Sequence, residues 1–416
     1  MKGYMKWAFV FMILFAVAIS THAQKEKFAR PDLVKPFKVN IPQAKLDDIY
    51  GRLKLATFPR QMPAGGSSLW ETGSDVQWMQ QLRDYWITKF DWRKAEAKLN
   101  RYPQFIATVD GYPIHFYYVQ GEGSHARPLI LTHGWPGSVF EFINTIEPLT
   151  NPSKFGGKAE DAFTVIIPSL PGFGFSGMPS KPIGAKTAAT LWDKLMTEVI
   201  GHKTYLAQGG DFGAVVTSYL AYMYPNSVRA IHLNMHVWGT PIPVEEQTPA
   251  DKAYLAAADA DWQQNFDYGR MQINRPLMPG VALHDSPIGT ANWIAEKLWL
   301  WSDNGGDLER IISKDDILTD IMIYLVSEGG LSGSFWFYRG LASELGGKFH
   351  PGYIKVPTAL AQFPKEFVIA RPPMETAKRV YNVYRLTKFE KGGHFAAWEQ
   401  PQLFVEDVRA SFHDFR

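Results

Sequence analysis

The sequence predicts an α/β fold: a mostly parallel central sheet flanked by helices, a helical insertion over the sheet, and a helical unit ahead of it. Three observations carry this expectation. Short apolar runs of strand length recur between residues 105 and 238, and helix-length segments separate several of them, as in βαβ units. The alternation stops near Trp238 and β-like patterning returns at Ile354, so 239–352 reads as an insertion. Before Phe105 the apolar residues keep helical spacing.

At the N-terminus, Lys2 and Lys6 precede an uncharged apolar stretch from Trp7 to Ile19, followed by Thr21-His22-Ala23. This is the layout of a secretory signal (residues 1–23) cut near Ala23/Gln24. A membrane anchor is the alternative, but the stretch is shorter than the roughly 20 residues a spanning helix needs. The mature chain is therefore expected to be secreted or periplasmic, without a stable membrane anchor. There is no cysteine, hence no disulfide framework and no lipid-accepting thiol after the apolar stretch.

Residues 24–104 form the helical N-terminal extension. Leu46, Ile49 and Leu53 share one helical face, Val76 to Phe90 repeats the spacing, and Gly, Pro and Ser between Pro63 and Ser68 mark the connecting loop. Residues 105–238 are the first part of the core. Phe105 to Val109, the turn Asp110-Gly111 and Ile114 to Val119 read as a hairpin. Leu129 to Thr132, Thr164 to Ile167, Thr204 to Ala207 and Ala230 to Leu233 follow as buried strands. Residues 239–352, the lid, are rich in aromatics, Gly and Pro, with helical stretches such as Asn292 to Trp301 and Ile317 to Val326. The second part of the core, 353–416, holds strands at Ile354 to Thr358 and Val380 to Leu386 and a last helix from Leu403 to Phe412.

With 416 residues, 46% of them hydrophobic and 20% charged, the chain can bury a large core. Lys+Arg 43 against Asp+Glu 41, with no basic run, argues against a nucleic-acid partner. Metal-binding, phosphate-binding and dinucleotide motifs are missing, so no metal or cofactor is expected and the partner is a small molecule. Oligomeric state is left open, a homo-oligomer included.

Gln208-Gly209-Gly210-Asp211-Phe212-Gly213 lies between a strand and the helical segment Ala214 to Tyr224. A tight strand-to-helix turn that exposes a nucleophile needs small residues two before and two after it, and Gly209 and Gly213 supply them. Asp211 occupies the nucleophile's place. No Gly-x-Ser-x-Gly occurs, which disfavours a serine esterase. Taken alone, Asp211 could be an ordinary helix cap, but two further motifs stand in the right chain order. Upstream, His133-Gly134-Trp135-Pro136-Gly137-Ser138 is a turn able to aim a main-chain N–H at the nucleophile. The Trp135 and Phe212 N–H groups would then form an oxyanion hole, with His133 holding the turn. Downstream, Gly392-Gly393-His394-Phe395 sits between the last strand and the last helix, where a catalytic histidine arrives in this chain order. The acid that orients it is less constrained. Asn234 stands after the strand that follows the elbow helix and carries no charge. Glu366, after the next strand, is the choice, and Glu399 is its rival.

Together, His133-Gly134-Trp135-Pro136-Gly137, Gly209-Gly210-Asp211-Phe212-Gly213, Phe363-Pro364-Lys365-Glu366 and Gly392 to Pro401 resemble the microsomal-type epoxide hydrolases and their juvenile hormone epoxide hydrolase relatives. Asp91-Trp92-Arg93-Lys94 and Leu99 to Phe105 are similar to that family's N-terminal extension. The resemblance implies an α/β-hydrolase fold and two lid tyrosines, at Tyr268 and, in Phe337-Tyr338-Arg339, at Tyr338. Two departures stand out. Phe212 replaces the tryptophan often found after the nucleophile, and an export signal replaces the membrane segment of animal relatives.

The chemistry this implies is hydrolysis of an apolar epoxide to a vicinal diol. A carboxylate with an ordinary pKa of about 3.9 attacks carbon, a phenol with a pKa of about 10 protonates the leaving oxygen, and His394 with Glu366 activates water against the Asp211 ester. A haloalkane dehalogenase would use the same Asp and His but needs halide donors, which Phe212 does not provide. A secreted binder of apolar ligands on the same fold is the non-enzymatic alternative.

Overall fold

The structure, a computed structural model, describes residues 28–63, 65–66, 68–236, 242–346 and 349–415. The expected signal segment 1–23 and the expected start of the insertion at 239 lie outside the described residues.

Among the described residues nine strands form one sheet in the order β1-β2-β3-β5-β4-β6-β7-β8-β9. They span Val34–Phe37 (β1), Gln104–Val109 (β2), Tyr112–Val119 (β3), Arg127–Thr132 (β4), Phe163–Pro168 (β5), Tyr205–Gly209 (β6), Val228–Leu233 (β7), Ile354–Gln362 (β8) and Tyr381–Lys388 (β9). From β5 to β9 every pairing is parallel, and β1, β2 and β3 form an antiparallel edge. The α/β expectation holds, and the central parallel strands are legible because they are buried on both faces. Every residue of β5 and of β6 is buried, so these strands read as unbroken apolar runs. Only β1 escapes that reading. It is four residues long, two of them exposed, and carries Pro36 at the sheet edge, where a missing N–H costs no ladder bond.

The chain between β7 and β8 holds the helices Pro249–Asn265, Asp267–Asn274, Leu277–Asp285, Pro287–Trp301, Lys314–Val326 and Gly330–Leu345. The N-terminal helices Gln43–Lys54, Val76–Thr88 and Trp92–Leu99 pack on two of these, Pro287–Trp301 and Lys314–Val326. The seam is both apolar and polar. Trp70 stacks on Trp299 with ring centroids 5.6 Å apart, Lys98 Nζ lies 2.6 Å from Asp316, the Tyr85 hydroxyl donates to Asp315 at 2.9 Å, and Ser74 donates to Asn292 at 2.6 Å. The N-terminal extension thus braces the insertion from outside while its strand β1 joins the sheet.

The last helix, Pro401–Phe412, is fastened to the sheet through Asp407. Its carboxylate meets His232 Nε2 of β7 at 3.0 Å, Arg385 of β9 at 2.9 Å and the Thr387 hydroxyl at 2.7 Å. Burial alone would raise the Asp407 pKa, but these partners, His232 foremost, outweigh it and push it down to about 2. A depressed folded-state pKa adds stability above the unfolded value that is lost as pH falls through the folded one. Asp407→Asn should therefore lower the unfolding free energy at pH 7 by about 2–4 kcal/mol in chemical denaturation. The variant should also lose less stability than the parent between pH of about 4 and about 2. Parallel acid limbs for the two proteins would refute the assignment.

Candidate active site

At the end of β6 the chain turns into the helix Phe212–Met223 through Asp211, whose φ of 51° and ψ of −127° lie in a region non-glycine residues rarely enter. Surrounding glycines enforce the turn. A Cβ on Gly213 would stand 1.9 Å from the Thr132 carbonyl oxygen, one on Gly209 2.1 Å from the Gly213 carbonyl oxygen, and one on Gly134 2.3 Å from the Asp211 Cβ. The conformation lifts the Asp211 side chain away from the helix it precedes, and it makes no capping bond to that helix. The ordinary-cap alternative therefore fails on geometry. Asn234, after β7, supports the elbow from behind: it accepts from Gln208 at 2.7 Å and lies against Gly210.

The Asp211 carboxylate is held from two sides. Oδ1 accepts the Trp135 N–H at 2.9 Å, and Oδ2 lies 3.3 Å from His394 Nε2. The turn that carries Trp135 is fixed by His133, whose Nε2 accepts the Leu170 N–H at 3.1 Å, so its Nδ1 donates to the Gly134 carbonyl at 2.9 Å. Burial lowers the His133 pKa to about 4, which keeps it neutral in that role. The Phe212 N–H opens the elbow helix, where main-chain donors have no partner within the helix.

On its other side, His394 Nδ1 meets both oxygens of Glu366, at 2.9 and 3.1 Å, and Glu366 is further fixed by the Phe367 N–H at 2.8 Å. A short parallel bridge between Lys365 and Gly393 brings the two loops together. Gly392, at φ 103°, permits that approach. Glu399 points elsewhere, accepting the Asp303 and Phe395 N–H groups at 2.8 and 2.9 Å and so shaping the histidine loop. Burial alone would lower the His394 pKa. The charge of Glu366, with hydrogen bonds to Asp211 and Glu366, reverses this and holds it well above the ordinary value.

Above Asp211 lies a cavity whose lining includes Asp211, Phe212, Tyr268 and Tyr338 and is otherwise largely apolar, with Val215, Met235, Leu341 and Ile369. Tyr268 comes from the lid helix Asp267–Asn274 and Tyr338 from Gly330–Leu345, and their ring centroids are 6.1 Å apart. Burial, with the charge of Asp211, raises both phenols well above the ordinary value, so both stay protonated donors. Phe212 packs edge-on against Tyr338 at 4.6 Å, so the side chain after the nucleophile positions a phenol. Behind the carboxylate is a smaller space, lined by Gly134, Trp135, Glu141, Asn234 and His394.

Two residues here were not found from the sequence. Glu141 borders that rear space, and removal from water, with the nearby Asp320 charge, raises its pKa well above the ordinary range. Asp320, on the lid helix Lys314–Val326, is raised to about 7 by burial and accepts from Ser138 at 2.7 Å. Neither belongs to a motif. They come together only because a lid helix packs on the oxyanion turn, and no pattern along the chain marks that contact.

Residues 34–142 match the family model described as epoxide hydrolase N terminus, and 127–288 match the alpha/beta hydrolase fold. The chain is 32% identical to epoxide hydrolase 1 of Sus scrofa over 92% of its own length and 89% of that protein. It is similar in structure to Aspergillus niger epoxide hydrolase (TM-score 0.79, 29% identity, 91% of this chain and 96% of that one). A further likeness is to the juvenile hormone epoxide hydrolase of the silkworm Bombyx mori (TM-score 0.81, 28% identity, 92% and 95%).

Proposed function

The chain belongs to the epoxide hydrolase family, and we propose that it opens an apolar epoxide through an ester on Asp211, with His394 and Glu366 driving hydrolysis of that ester. One observation carries the reading. A carboxylate held by the Trp135 N–H faces two buried phenols across an apolar cavity, while a histidine backed by a carboxylate stands beside it.

In the first step an Asp211 oxygen attacks an epoxide carbon and the C–O bond of the ring breaks. Tyr268 or Tyr338 gives its proton to the departing oxygen. Assistance of this kind is typically worth about 10²–10⁴ in rate. In the second step a water in the space behind the carboxylate gives a proton to His394 Nε2 and attacks the ester carbonyl carbon. The Trp135 and Phe212 N–H groups receive the negative charge on the former carboxylate oxygen. Collapse breaks the acyl C–O bond, and the departing alkoxide takes the proton of the newly formed carboxylic acid, which restores the Asp211 carboxylate and releases the diol. The two steps ask opposite things of His394. Beside ionised Asp211 it is held protonated. Once Asp211 is an ester, that charge and its hydrogen bond are gone, the pKa falls, and the imidazolium returns its proton to the phenolate left by the first step, which leaves the imidazole a base when one is required. Apolar walls favour an aryl or alkyl epoxide over a charged one.

A single turnover in ¹⁸O-water should give an unlabelled diol and label in the Asp211 carboxylate. A labelled first diol would exclude the ester. The rate of ester hydrolysis should fall as pH drops through the His394 pKa of the ester form, and that limb should lie at lower pH than the histidine's titration in the free enzyme. Coincidence of the two would show that Asp211 does not set the histidine's charge.

Export is proposed on the sequence of residues 1–23 alone. Among the described residues no helix is long and apolar enough to cross a membrane. Protein recovered from outside the cytoplasm should begin at Gln24 by mass spectrometry, and an intact N-terminus in a membrane fraction would overturn this.

A further inference from the structure

The lid helix Pro287–Trp301 buries a lysine against the active site. Lys297 is 8% exposed. Its ammonium lies 4.4 Å from the centroid of the Tyr268 ring and 5.7 Å from that of Trp301. Glu296 accompanies it at 2.5 Å. Charged lysine is seldom buried without a reason, since an ammonium gives up strong hydration on leaving water. Glu296 supplies the countercharge, but its own charge, like those of Asp211 and Glu366, acts on Tyr268 to hold the phenol's proton on, so the ammonium is set against three carboxylates. The position over two rings is left to explain.

We propose that Lys297 is a positioning residue for epoxide opening, acting through Tyr268 so that this phenol, rather than Tyr338, gives up the proton. The proposal rests on the reading of Tyr268 as a proton donor. A cation over a neutral phenol feels only the ring quadrupole, a weak attraction. When the O–H proton passes to the epoxide oxygen, the phenol becomes a phenolate whose charge spreads over the ring. The same ammonium then faces a full negative charge in a buried setting. An interaction that strengthens as the proton moves lowers the barrier instead of merely holding the ground state.

Two further observations set Tyr268 apart. Its ring stacks on Trp135 with centroids 5.1 Å apart and planes within 13°, and this is the residue whose N–H holds the nucleophile. Phenol and carboxylate are thus registered through one residue, the phenol on its side chain and the carboxylate on its main-chain N–H. Tyr338 differs: among the described residues no lysine or arginine lies over its ring. Its hydroxyl instead interacts with that of Tyr268. Tyr338 on this view orients the epoxide oxygen and Tyr268 delivers the proton. Trp301, the other ring under Lys297, packs on His394 at 5.2 Å and its carbonyl accepts the His394 N–H at 2.9 Å. One helix end therefore touches both halves of the machinery, but the lysine reaches only the tyrosine side directly.

The test separates ester formation from ester hydrolysis by stopped-flow tryptophan fluorescence on the full enzyme, with styrene oxide as substrate. Lys297→Met should slow ester formation by about tenfold or more while Lys297→Arg keeps most of the rate, within the span general-acid assistance commands. Ester hydrolysis should stay within about twofold of the parent for both, as Lys297 does not act on the histidine. The alkaline limb of ester formation, which reports loss of the donor proton, should move to higher pH in Lys297→Met. In a Tyr268→Phe background Lys297→Met should add less than about twofold, whereas in Tyr338→Phe it should keep its full effect.

Equal losses in both backgrounds, or an unmoved alkaline limb, would overturn the proposal. If Tyr268→Phe by itself leaves ester formation unchanged, the donor role of Tyr268 fails first and the proposal falls with it. Lys297→Met leaves Glu296 without its partner. The double variant Glu296→Gln/Lys297→Met removes both charges at nearly constant volume, and its ester-formation rate should still be low. Recovery of the parent rate there would assign the defect to the stranded Glu296 and refute the role of Lys297.

Discussion

The turn at Asp211 is the constraint from which the rest of the site follows. Three chain segments meet there at distances that admit no Cβ. β4 presents the Thr132 carbonyl to Gly213, the start of the elbow helix presents its own carbonyl to Gly209, and the oxyanion turn presents Gly134 to the nucleophile. A left-handed aspartate is costly, and it persists because packing around it leaves no other conformation. The return is a carboxylate held clear of its own helix, in line with a main-chain N–H on one side and a histidine on the other.

Around that fixed point the architecture divides its work by position. Parallel strands deliver three loops to one sheet edge, after β4, β6 and β8, and the loop after β9 brings the histidine. The insertion closes this edge and contributes both phenols, so nucleophile and proton donors come from different layers. The N-terminal extension touches the lid helix that carries Lys297 and Trp301 and the lid helix that carries Asp320. Its distance from the reacting atoms conceals this. By packing on the outer face of these helices it sets how closely their inner faces approach Asp211.

Charge within the site is arranged with equal economy. Asp211 and Glu366 flank His394, so its protonation depends on whether Asp211 is free or esterified. Burial raises the pKa of both Glu141 and Asp320, which lie beside this region, Asp320 to about 7. The phenols obey the same rule: burial beside Asp211 keeps their protons on until an oxygen with greater demand appears.

What the sequence determined by itself is what is written in contiguous residues. The central parallel strands were legible because buried strands are unbroken apolar runs, β2 and β3 because a Gly turn joins two short β runs, and the elbow because Gly209 and Gly213 flank Asp211 where only glycine fits. His133 and His394 stand in local motifs beside glycine turns, so their loops could be found from order alone. Short β1, with a proline and two exposed residues among four, gave no such signal. The choice of Glu366 over Glu399 followed chain order. Only the fold separated the two, by pairing Lys365 with Gly393 and turning Glu399 onto main-chain N–H groups. Tertiary structure alone decided the meeting of Lys297 with Tyr268 and of Asp320 with Ser138. Each joins residues far apart in the chain whose side chains are unremarkable one at a time. Contacts of this kind depend on the angle at which packed helices cross, a property of the whole core that no local pattern encodes.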